Sequence, residues 1–250
     1  MMAMTVGEHG RFPELSEREL AELNARFERA PASSVIEWAV EQFHPYLCLT
    51  ASMTDALVVD LAVRVEPSIE VVFIDTGYHF AETLETLDVV RRRYGLNLRV
   101  MTVPTPPVEL WSAGPERCCS EAKVAELDRA LVGKLAWMSE VRRADSFARR
   151  TTPIVEHQRG RVKVNPIAGW SDADVAGYIA AHDVPVNPLR DQGFPSIGCR
   201  PCTQAVAAGA DPRSGRWPGR EKTECGMHTA TSSARPRRDR HPVLTEKVPA

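Results

Sequence analysis

The stretch that decides the fold runs from Tyr46 to Gly77 and reads YLCLTASMTDALVVDLAVRVEPSIEVVFIDTG. The apolar run over residues 46–49 predicts a short buried strand, and the run over residues 69–74, rich in Val and Ile, predicts a second one. Between them lie a small polar turn at residues 50–55 and an apolar helical pattern at residues 56–63. A strand, a helix and a strand in this order pair in parallel, which indicates an α/β fold.

The same alternation continues on both sides of this stretch. Downstream, the patterns predict a helix over residues 82–94, a strand over 96–103, weaker strands over 135–138 and 162–164, and a helix over 172–181 capped by Ser171. Upstream, they predict helices over 16–29, with Ser16 and Glu19 in a capping box, and over 35–43. The expected fold class is therefore α/β: a doubly wound, mostly parallel sheet with an irregular C-terminal segment.

Length and composition favour a single large domain with extensions. The chain has 250 residues, of which 43% are hydrophobic, enough for a core. The predicted parts are an N-terminal helical extension (1–30), the α/β domain (31–204), a mobile catalytic segment (205–230) and a disordered tail (231–250). The Pro, Gly and Arg content beyond Pro185 is the reason for separating the last two parts.

Charge and hydropathy narrow the choice of partners. The formal net charge of −2 lacks the excess of positive charge that is typical of nucleic-acid-binding proteins. The first residues lack the features of a signal peptide, and no apolar run approaches the roughly 20 residues of a membrane span. We therefore expect a cytoplasmic protein without nucleic-acid or membrane partners, which could form a homo-oligomer. Arginine runs near the cysteines suggest an anionic small-molecule substrate, although a solvated face would also explain them.

Two predicted strand ends carry candidate nucleotide-binding residues, since ligands of α/β sheets bind at the carboxyl ends of parallel strands. The candidates are Thr50, Ala51, Ser52 and Asp55 after the first strand, and Asp75, Thr76 and Gly77 after the second. Backbone N–H groups of the first turn could cradle an anion, although an ordinary strand-to-helix turn also explains it. The second turn could contact a ribose or cap a helix.

The cysteines divide into a candidate metal site and other thiols. Cys118 and Cys119 are adjacent, and Cys199 and Cys202 enclose Arg-Pro. In a reducing compartment four thiolates permit zinc or an iron–sulfur cluster. Adjacent side chains on an α-helix diverge by about 100°, which suits the separate corners of a [4Fe-4S] cluster better than one zinc ion. Cys48 lies in an apolar run and is interpreted as a core residue.

A further cysteine, Cys225, stands apart in the segment ECGMHT. His228 could approach its thiol and favour the reactive thiolate. The alternative is that Cys225 is a cysteine without a catalytic role. Arg213 and Arg216 flank a Ser-Gly pair and could hold a sulfate or phosphate from two sides. Lys123 follows the cysteine pair by about one helical turn, so it could place a charge beside a cluster and an anion, although a solvated lysine is equally compatible.

These segments together resemble the bacterial assimilatory adenylyl-sulfate (APS) reductases, which belong to the phosphoadenylyl-sulfate reductase family. The resemblance rests on the pair Cys118-Cys119 and on the segments PSIGCRPCT (195–203), DPRSGRW (211–217), ECGMH (224–228), FIDTGYHFAET (73–83) and VNPIAGW (164–170). It extends over about residues 45–230, and the late cysteine segments are its most specific part.

The resemblance implies an adenine-nucleotide-binding fold of the PP-loop type. It also implies that Cys118, Cys119, Cys199 and Cys202 hold a [4Fe-4S] cluster. Cys225 would attack the sulfur of adenylyl sulfate, expel AMP and carry an S-sulfocysteine intermediate. Thioredoxin or a similar dithiol would then release sulfite.

Further site residues follow from the same resemblance. Lys123, Arg213, Arg216 and His228 match positions around the phosphosulfate. Residues 50–55 match the modified pyrophosphate loop, residues 75–77 match the nucleotide-contacting turn, and an arginine loop within residues 137–150 supplies Arg142, Arg143 and Arg149. Two departures stand out: Met138-Ser139-Glu140 replaces the small residues usual before this arginine pair, and Ala81 replaces the usual proline.

Three alternatives remain open from the sequence. A reductase for 3′-phosphoadenylyl sulfate (PAPS) usually lacks the cysteine pair and the CxxC segment. A tRNA-thiolating enzyme of the PP-loop type normally carries Ser-Gly-Gly-x-Asp-Ser, whereas residues 50–55 read TASMTD. An iron–sulfur regulator that binds DNA would need a helix-turn-helix signature, which the sequence does not display.

Overall fold

The chain folds around a six-stranded sheet, in a computed structural model that describes residues 15–104, 107–114 and 116–228. The strands are β1 (Leu47–Thr50), β2 (Glu70–Asp75), β3 (Asn97–Thr102), β4 (Ala136–Met138), β5 (Val155–Gln158) and β6 (Arg161–Val164). The helices are α1 (Glu17–Phe27), α2 (Ala32–Phe43), α3 (Leu57–Val65), α4 (Ala81–Tyr94), α5 (Pro107–Ser112), α6 (Lys123–Ala130) and α7 (Asp172–His182). A π-helix (Glu116–Ala122) precedes α6.

The sheet order is β3-β2-β1-β4-β6-β5, and β5 alone among these strands runs antiparallel to its neighbour. Leu49 of β1 lies opposite Val71 of β2 on one side and Met138 of β4 on the other. The chain winds from β1 towards β3 in one direction and from β4 towards β6 in the other. This confirms the predicted doubly wound, mostly parallel sheet, and it places the reversal of winding between β1 and β4.

Alternate residues of β1 enter two different cores. Leu47 and Leu49 pack with residues of α2, α3 and α7, whereas Cys48 packs with Trp137 and with Leu127 of α6. Successive side chains of a strand point to opposite faces, so a strand that is covered on both faces is apolar throughout. Cys48 is 0% exposed, and burial raises the pKa of its thiol to about 12. The interpretation of Cys48 as a core residue is confirmed.

Reciprocal caps fix the starts of two helices. The Ser16 hydroxyl accepts the Glu19 N–H, and the Glu19 carboxylate accepts the Ser16 N–H, as the sequence predicts. Ser171 and Asp174 form the same arrangement at α7. The Asn24 side chain of α1 accepts backbone N–H groups at the β5 edge. The described part of the N-terminal extension is therefore joined to the main core.

The antiparallel edge strand β5 is not among the predicted strands. It forms a hairpin with β6 through Arg159 and Gly160, which have φ angles of 57° and 67°. Such a turn needs positive φ at both central positions, so it is usually recognised by Asn-Gly or Asp-Gly.

The C-terminal segment folds back onto the CxxC loop instead of forming regular structure. The Trp217 N–H donates to the Cys202 carbonyl, and the Gln204 N–H donates to the Gly215 carbonyl. Arg159 donates to the Gly226 carbonyl and holds the later part of the segment. The predicted tail at 231–250 lies outside the described residues, as do residues 1–14. None of the helices in the described ranges is long and apolar enough to cross a membrane.

Candidate active site

The candidate site is a cavity of about 340 Å³ at the carboxyl ends of β1 and β4, where the winding of the sheet reverses. One part of its wall consists of Ser52, Asp55 and Glu140, and we call this part the carboxylate end. Another part consists of Cys225 and three cations, and we call it the cationic end. Its cations are Lys123, Arg213 and Arg216.

The turn after β1 uses its donors within the protein. The Thr50 hydroxyl donates to the Met138 carbonyl at 3.2 Å, which ties β1 to β4. The Ala51 N–H donates to the Val72 carbonyl at 3.0 Å. The Ser52 N–H and hydroxyl donate to Glu140 Oε2, at 2.9 and 2.8 Å. Thr50 and Ala51 therefore shape the wall of the cavity, and Ser52 lies at a carboxylate of the chain itself.

Asp55 precedes α3, accepts a hydrogen bond from its first residue and carries an ion pair. Its Oδ1 accepts the Leu57 N–H at 3.1 Å, and its Oδ2 lies 3.1 Å from Arg190. Burial raises the pKa of Asp55, and these two contacts oppose the rise only in part. The carboxylate end therefore holds an acid that is partly neutralised by Arg190.

Glu140 is the second acid at this end. Its Oε1 is buried without a hydrogen-bond partner among the described residues. Burial and then the neighbouring charge of Asp55 raise the pKa of Glu140 to about 8, although the bonds from Ser52 oppose the rise. The sequence prediction of site residues did not include Glu140; its only signal was that it replaces a small residue.

The turn after β2 supports the CxxC loop. The Asp75 carboxylate accepts the Gly77 N–H at 2.8 Å, and Gly77 has a φ of 72°. The Thr76 hydroxyl lies 3.1 Å from Cys199 Sγ. The Arg200 N–H donates to the Tyr78 carbonyl at 2.8 Å. In the described structure these residues thus position a cysteine, and the predicted contact with a nucleotide stays a prediction.

The two cysteine groups come from distant segments and meet beside the cavity. Cys118 and Cys119 lie on the π-helix, and Cys199 and Cys202 flank a 3-10 turn. They are buried, with 4, 5, 7 and 5% of their surface exposed. The Cys119 thiol contacts Cys118, Cys202 and Cys225, and these contacts lower its pKa. We expected an α-helix at Cys118-Cys119, whereas the structure has a wider π-helical turn. Such turns are rare and often mark functional sites.

The donor set at this place consists of thiols. All six cysteines are free, and four of them are the ones just described. Within the described ranges, no three Cys, His, Asp or Glu side chains are grouped as ligands of a single metal ion. The chemistry of the four converging thiols, with cations beside them, nevertheless fits a group that is bound by several thiolates.

Lys123 and Arg216 are the cations next to these thiols. Burial lowers the pKa of Lys123, but the neighbouring thiols outweigh burial and raise the pKa overall, so the ammonium stays charged. Arg216 donates to the Ser196 hydroxyl at 3.3 Å and to the Ile197 carbonyl at 3.2 Å, and its guanidinium lies 4.6 Å from the Trp217 ring centre. Burial lowers the pKa of Arg216 from its high ordinary value. Both predicted cations therefore lie at the cationic end.

Cys225 lines the cavity, and its thiol is partly buried. The contact with Cys119, and then burial, raises the pKa of Cys225, while the charge of Lys123 lowers it. His228 closes a turn through its N–H to the Cys225 carbonyl at 3.1 Å, and its ring stacks on Trp137. Burial, followed by the charge of Arg149, holds the pKa of His228 well below its ordinary value, so the imidazole is neutral. Lys123, not His228, is thus the cation that favours the thiolate.

Glu224 joins the C-terminal segment to the arginine loop. Its carboxylate accepts two bonds from Arg149, at 3.0 and 2.7 Å, and one from Ser146 at 2.9 Å. Arg213 lies 3.4 Å from the same carboxylate and donates to the Thr223 carbonyl at 3.0 Å. This cluster positions Cys225 because Glu224 immediately precedes it. Sequence reasoning gave Glu224 no role of its own.

The remaining two arginines of the predicted loop differ in position. Arg142 lines the cavity and pairs with Asp145 and Asp172, each at 2.9 Å. Arg143 instead pairs with Glu28, beyond α1, through two bonds of 2.5 and 2.9 Å. The structure therefore brings Arg142 and Arg149 to the cavity and directs Arg143 to the N-terminal helix.

Comparisons with known proteins agree with this architecture. The model of the phosphoadenosine phosphosulfate reductase domain matches residues 45–205. A protein of Rhodococcus opacus named adenosine 5′-phosphosulfate reductase is 41% identical over 239 residues, which cover 86% of this chain and 97% of the relative. A protein of the same name from Streptomyces coelicolor is 43% identical and covers 85% and 97%.

Solved structures point to the same fold. The phosphoadenylyl-sulfate (PAPS) reductase of Candida auris in a phosphate complex superposes with a TM-score of 0.68 at 26% identity, covering 77% of this chain and 98% of that one. A Candida glabrata FMN adenylyltransferase, at 14% identity and a TM-score of 0.55, covers 88% and 83% and shares the fold. With a family model over most of its length and relatives above 40% identity, the chain belongs to the phosphoadenosine phosphosulfate reductase domain family.

Proposed function

We propose that this protein reduces adenylyl sulfate to sulfite and AMP, with thioredoxin or a similar dithiol as the electron donor. The observation that carries the proposal is the position of the Cys225 thiol in a cavity at the carboxyl edge of the sheet, beside Lys123 and Arg216. The relatives named adenosine 5′-phosphosulfate reductase support the same substrate. The reaction belongs to sulfate assimilation.

In the first step the Cys225 thiolate attacks the sulfur of the bound adenylyl sulfate. A bond forms between Cys225 Sγ and that sulfur, the bond from the sulfur to the bridging oxygen breaks, and its electron pair leaves with AMP. Lys123 favours the thiolate, and Arg213 and Arg216 are placed to neutralise charge on the phosphosulfate. The product on the enzyme is an S-sulfocysteine.

In the second step a thiolate of the dithiol attacks Cys225 Sγ. The bond between the two sulfurs breaks and releases sulfite, which takes the electron pair, while a mixed disulfide forms. The second thiol of the donor then attacks the donor sulfur of this mixed disulfide, which closes the donor's disulfide and frees the Cys225 thiolate. The dithiol is oxidised to a disulfide, and the sulfur of the substrate is reduced from the sulfate to the sulfite level.

We also propose that Cys118, Cys119, Cys199 and Cys202 hold a [4Fe-4S] cluster as a resident group. When bound, it supplies a fixed charge beside Cys225 and joins the π-helix to the CxxC loop. The burial of the four thiols and their mutual contacts support this assignment. The free state of all six cysteines suits a reducing cytoplasm.

The test replaces Cys225 by serine in the full chain, purified without oxygen. We expect sulfite release from adenylyl sulfate with thioredoxin to fall by roughly 10³-fold or more, since a serine hydroxyl is a far weaker nucleophile. Visible absorbance, iron and acid-labile sulfide stay at the wild-type level because Cys225 is not a ligand. Cys48→Ala, in the core, is the matched control and keeps both properties. Sulfite release by Cys225→Ser, or a loss of its absorbance, contradicts the assignment.

PAPS reduction is the second candidate, and the Candida auris relative and the name of the family favour it. The two nucleotides differ only in the 3′-phosphate. Sulfite release from each, at matched concentrations and with the same thioredoxin, separates the candidates. Preference for the 3′-phosphorylated nucleotide would replace our proposal by this one.

A further inference from the structure

Glu140 occupies the place in the β1 turn where an anion would bind. The Ser52 N–H and hydroxyl converge on Glu140 Oε2, at 2.9 and 2.8 Å. The Ala51 N–H and the Thr50 hydroxyl are used for bonds to strand carbonyls. A phosphate arriving at this turn would have to displace a carboxylate of the chain itself. The carboxylate end is therefore closed to anions at Ser52.

The other oxygen of Glu140 needs a partner that the described protein does not provide. Oε1 is buried and has no hydrogen-bond partner among the described residues. A buried polar atom without a partner costs free energy, so a ligand that satisfies it gains affinity. Glu140 lines the cavity, so a ligand hydroxyl can satisfy this oxygen once the carboxylate turns Oε1 towards the cavity.

Charges around Glu140 decide which ligand group fits. Asp55 and Asp145 are the acids whose charge acts on it, while Arg190 pairs with Asp55 and Arg142 pairs with Asp145. A hydroxyl can donate to a carboxylate and accept from a carboxylic acid, so it matches Glu140 in both protonation states. A phosphate offers only acceptors, so an ionised Glu140 repels it.

The two ends of the cavity then set the orientation of the nucleotide. For Cys225 to react, the phosphosulfate has to lie at the cationic end, so the nucleoside is left with the rest of the cavity, which Glu140 lines. Building on the proposed function, we propose that Glu140 is a specificity-determining residue that binds the ribose 3′-hydroxyl and rejects a nucleotide with a phosphate at that position. Glu140 stands where the resembling reductases usually have a small residue, so the inference concerns this chain in particular.

The experiment measures binding of AMP and of adenosine 3′,5′-bisphosphate to the full, cluster-loaded protein by calorimetry. For wild type we expect tighter binding of AMP, with the ratio of dissociation constants rising between pH 7 and pH 9 as Glu140 ionises with a pKa of about 8. Phosphate monoesters have their second pKa near 6, so they are already largely dianionic over this range. For Glu140→Gln we expect the ratio to fall about tenfold and to become independent of pH, since the amide cannot ionise and offers an N–H donor.

The matched control is a glutamate that does not belong to the cavity lining. Glu85→Gln, on the exposed surface of α4, keeps the wild-type ratio and its pH dependence. A wild-type ratio that is flat with pH and unchanged in Glu140→Gln overturns the inference. If the variant does not fold, equal binding of the two nucleotides by wild type overturns it. Failure of wild type to bind AMP at all overturns the proposed function, so the two failures are distinguishable.

Discussion

The two ends of the cavity differ in the side chains that line them. At the cationic end, Lys123 and Arg216 lie beside the Cys225 thiol, and Arg213 lies next to Arg216. At the carboxylate end, Glu140 accepts the Ser52 N–H and hydroxyl, and Asp55 pairs with Arg190. A ligand with one anionic tip and one neutral, hydroxyl-bearing part has a single favourable orientation in such a cavity. On the proposed function, the cations at one end favour a phosphosulfate beside Cys225.

Among the variants that test the contrast between the two ends, removal of a charge at the cationic end is expected to cause the largest loss of activity. For Arg216→Ala we expect kcat/KM for adenylyl sulfate to fall by roughly 10²–10³-fold, the usual cost of losing a donor that stabilises developing charge. Steady-state sulfite release measures it, and visible absorbance shows whether the cysteine site is intact. Arg200→Ala is the matched control, because Arg200 lies in the CxxC loop but is exposed, and it stays within about threefold of wild type. Equal losses in both variants would show that position relative to Cys225 does not matter.

A smaller effect comes from moving the same guanidinium without removing it. A Cβ at Gly198 would overlap the Arg216 guanidinium, which is the flexible end of a side chain and can shift. For Gly198→Ala we therefore expect a normal fold and a loss of kcat/KM of about 10²-fold or less, since a displacement of about 1 Å can cost that much. Kinetics and thermal unfolding are measured together.

The control for this variant is a glycine without neighbours. Gly177 lies in α7, and nothing lies within 4 Å of a Cβ there. Gly177→Ala keeps full activity and gains about 0.5–1 kcal/mol of stability, because alanine is the better helix former. An active Gly198→Ala variant would mean that Arg216 does not need its observed position.

Local patterns predict the central fold well and its edge poorly. The runs around β1 and β2 are apolar because helices cover both faces of the sheet, so their sequence carries a strong signal. The hairpin of β5 and β6 depends on positive φ at Arg159, a residue type that does not signal such a turn. Its strands are short and carry charged residues, and Lys163 of β6 is buried, which weakens the pattern further.

The candidate site divides in the same way. Residue type and spacing make functional cysteines recognisable, so Cys199, Cys202 and Cys225 can be singled out from the sequence. Glu140 and Glu224 cannot, because their roles depend on partners 88 and 75 residues away in the chain. Glutamate is common on surfaces, and only the folded chain shows which carboxylates meet a serine N–H or a buried arginine.

The smallest expected effect concerns Glu224, the acid that belongs to the cationic end. Its side chain and those of Arg149 and Arg213 are 12, 13 and 12% exposed. Glu224→Gln removes the counter-charge of Arg213 and one of the two carboxylates at Arg149, which keeps Asp145 at 2.9 Å. We expect the free energy of unfolding to fall by about 1–3 kcal/mol, somewhat less than for a fully buried pair. Urea unfolding of the full chain, followed by circular dichroism, measures the loss.

The matched control places the same substitution in an exposed pair. Glu22 pairs with Arg18 on α1 at 63 and 86% exposure, and Glu22→Gln changes the stability by less than about 0.5 kcal/mol. The pKa of Glu224 is lowered because the bonds and charges of Arg149 and Arg213 outweigh its burial. Its contribution is therefore present above the ordinary glutamate pKa of 4.5 and is lost as the pH falls through the lower, folded value. A Glu224→Gln variant as stable as its control at neutral pH would show that the C-terminal segment is held over the cavity by contacts other than this carboxylate.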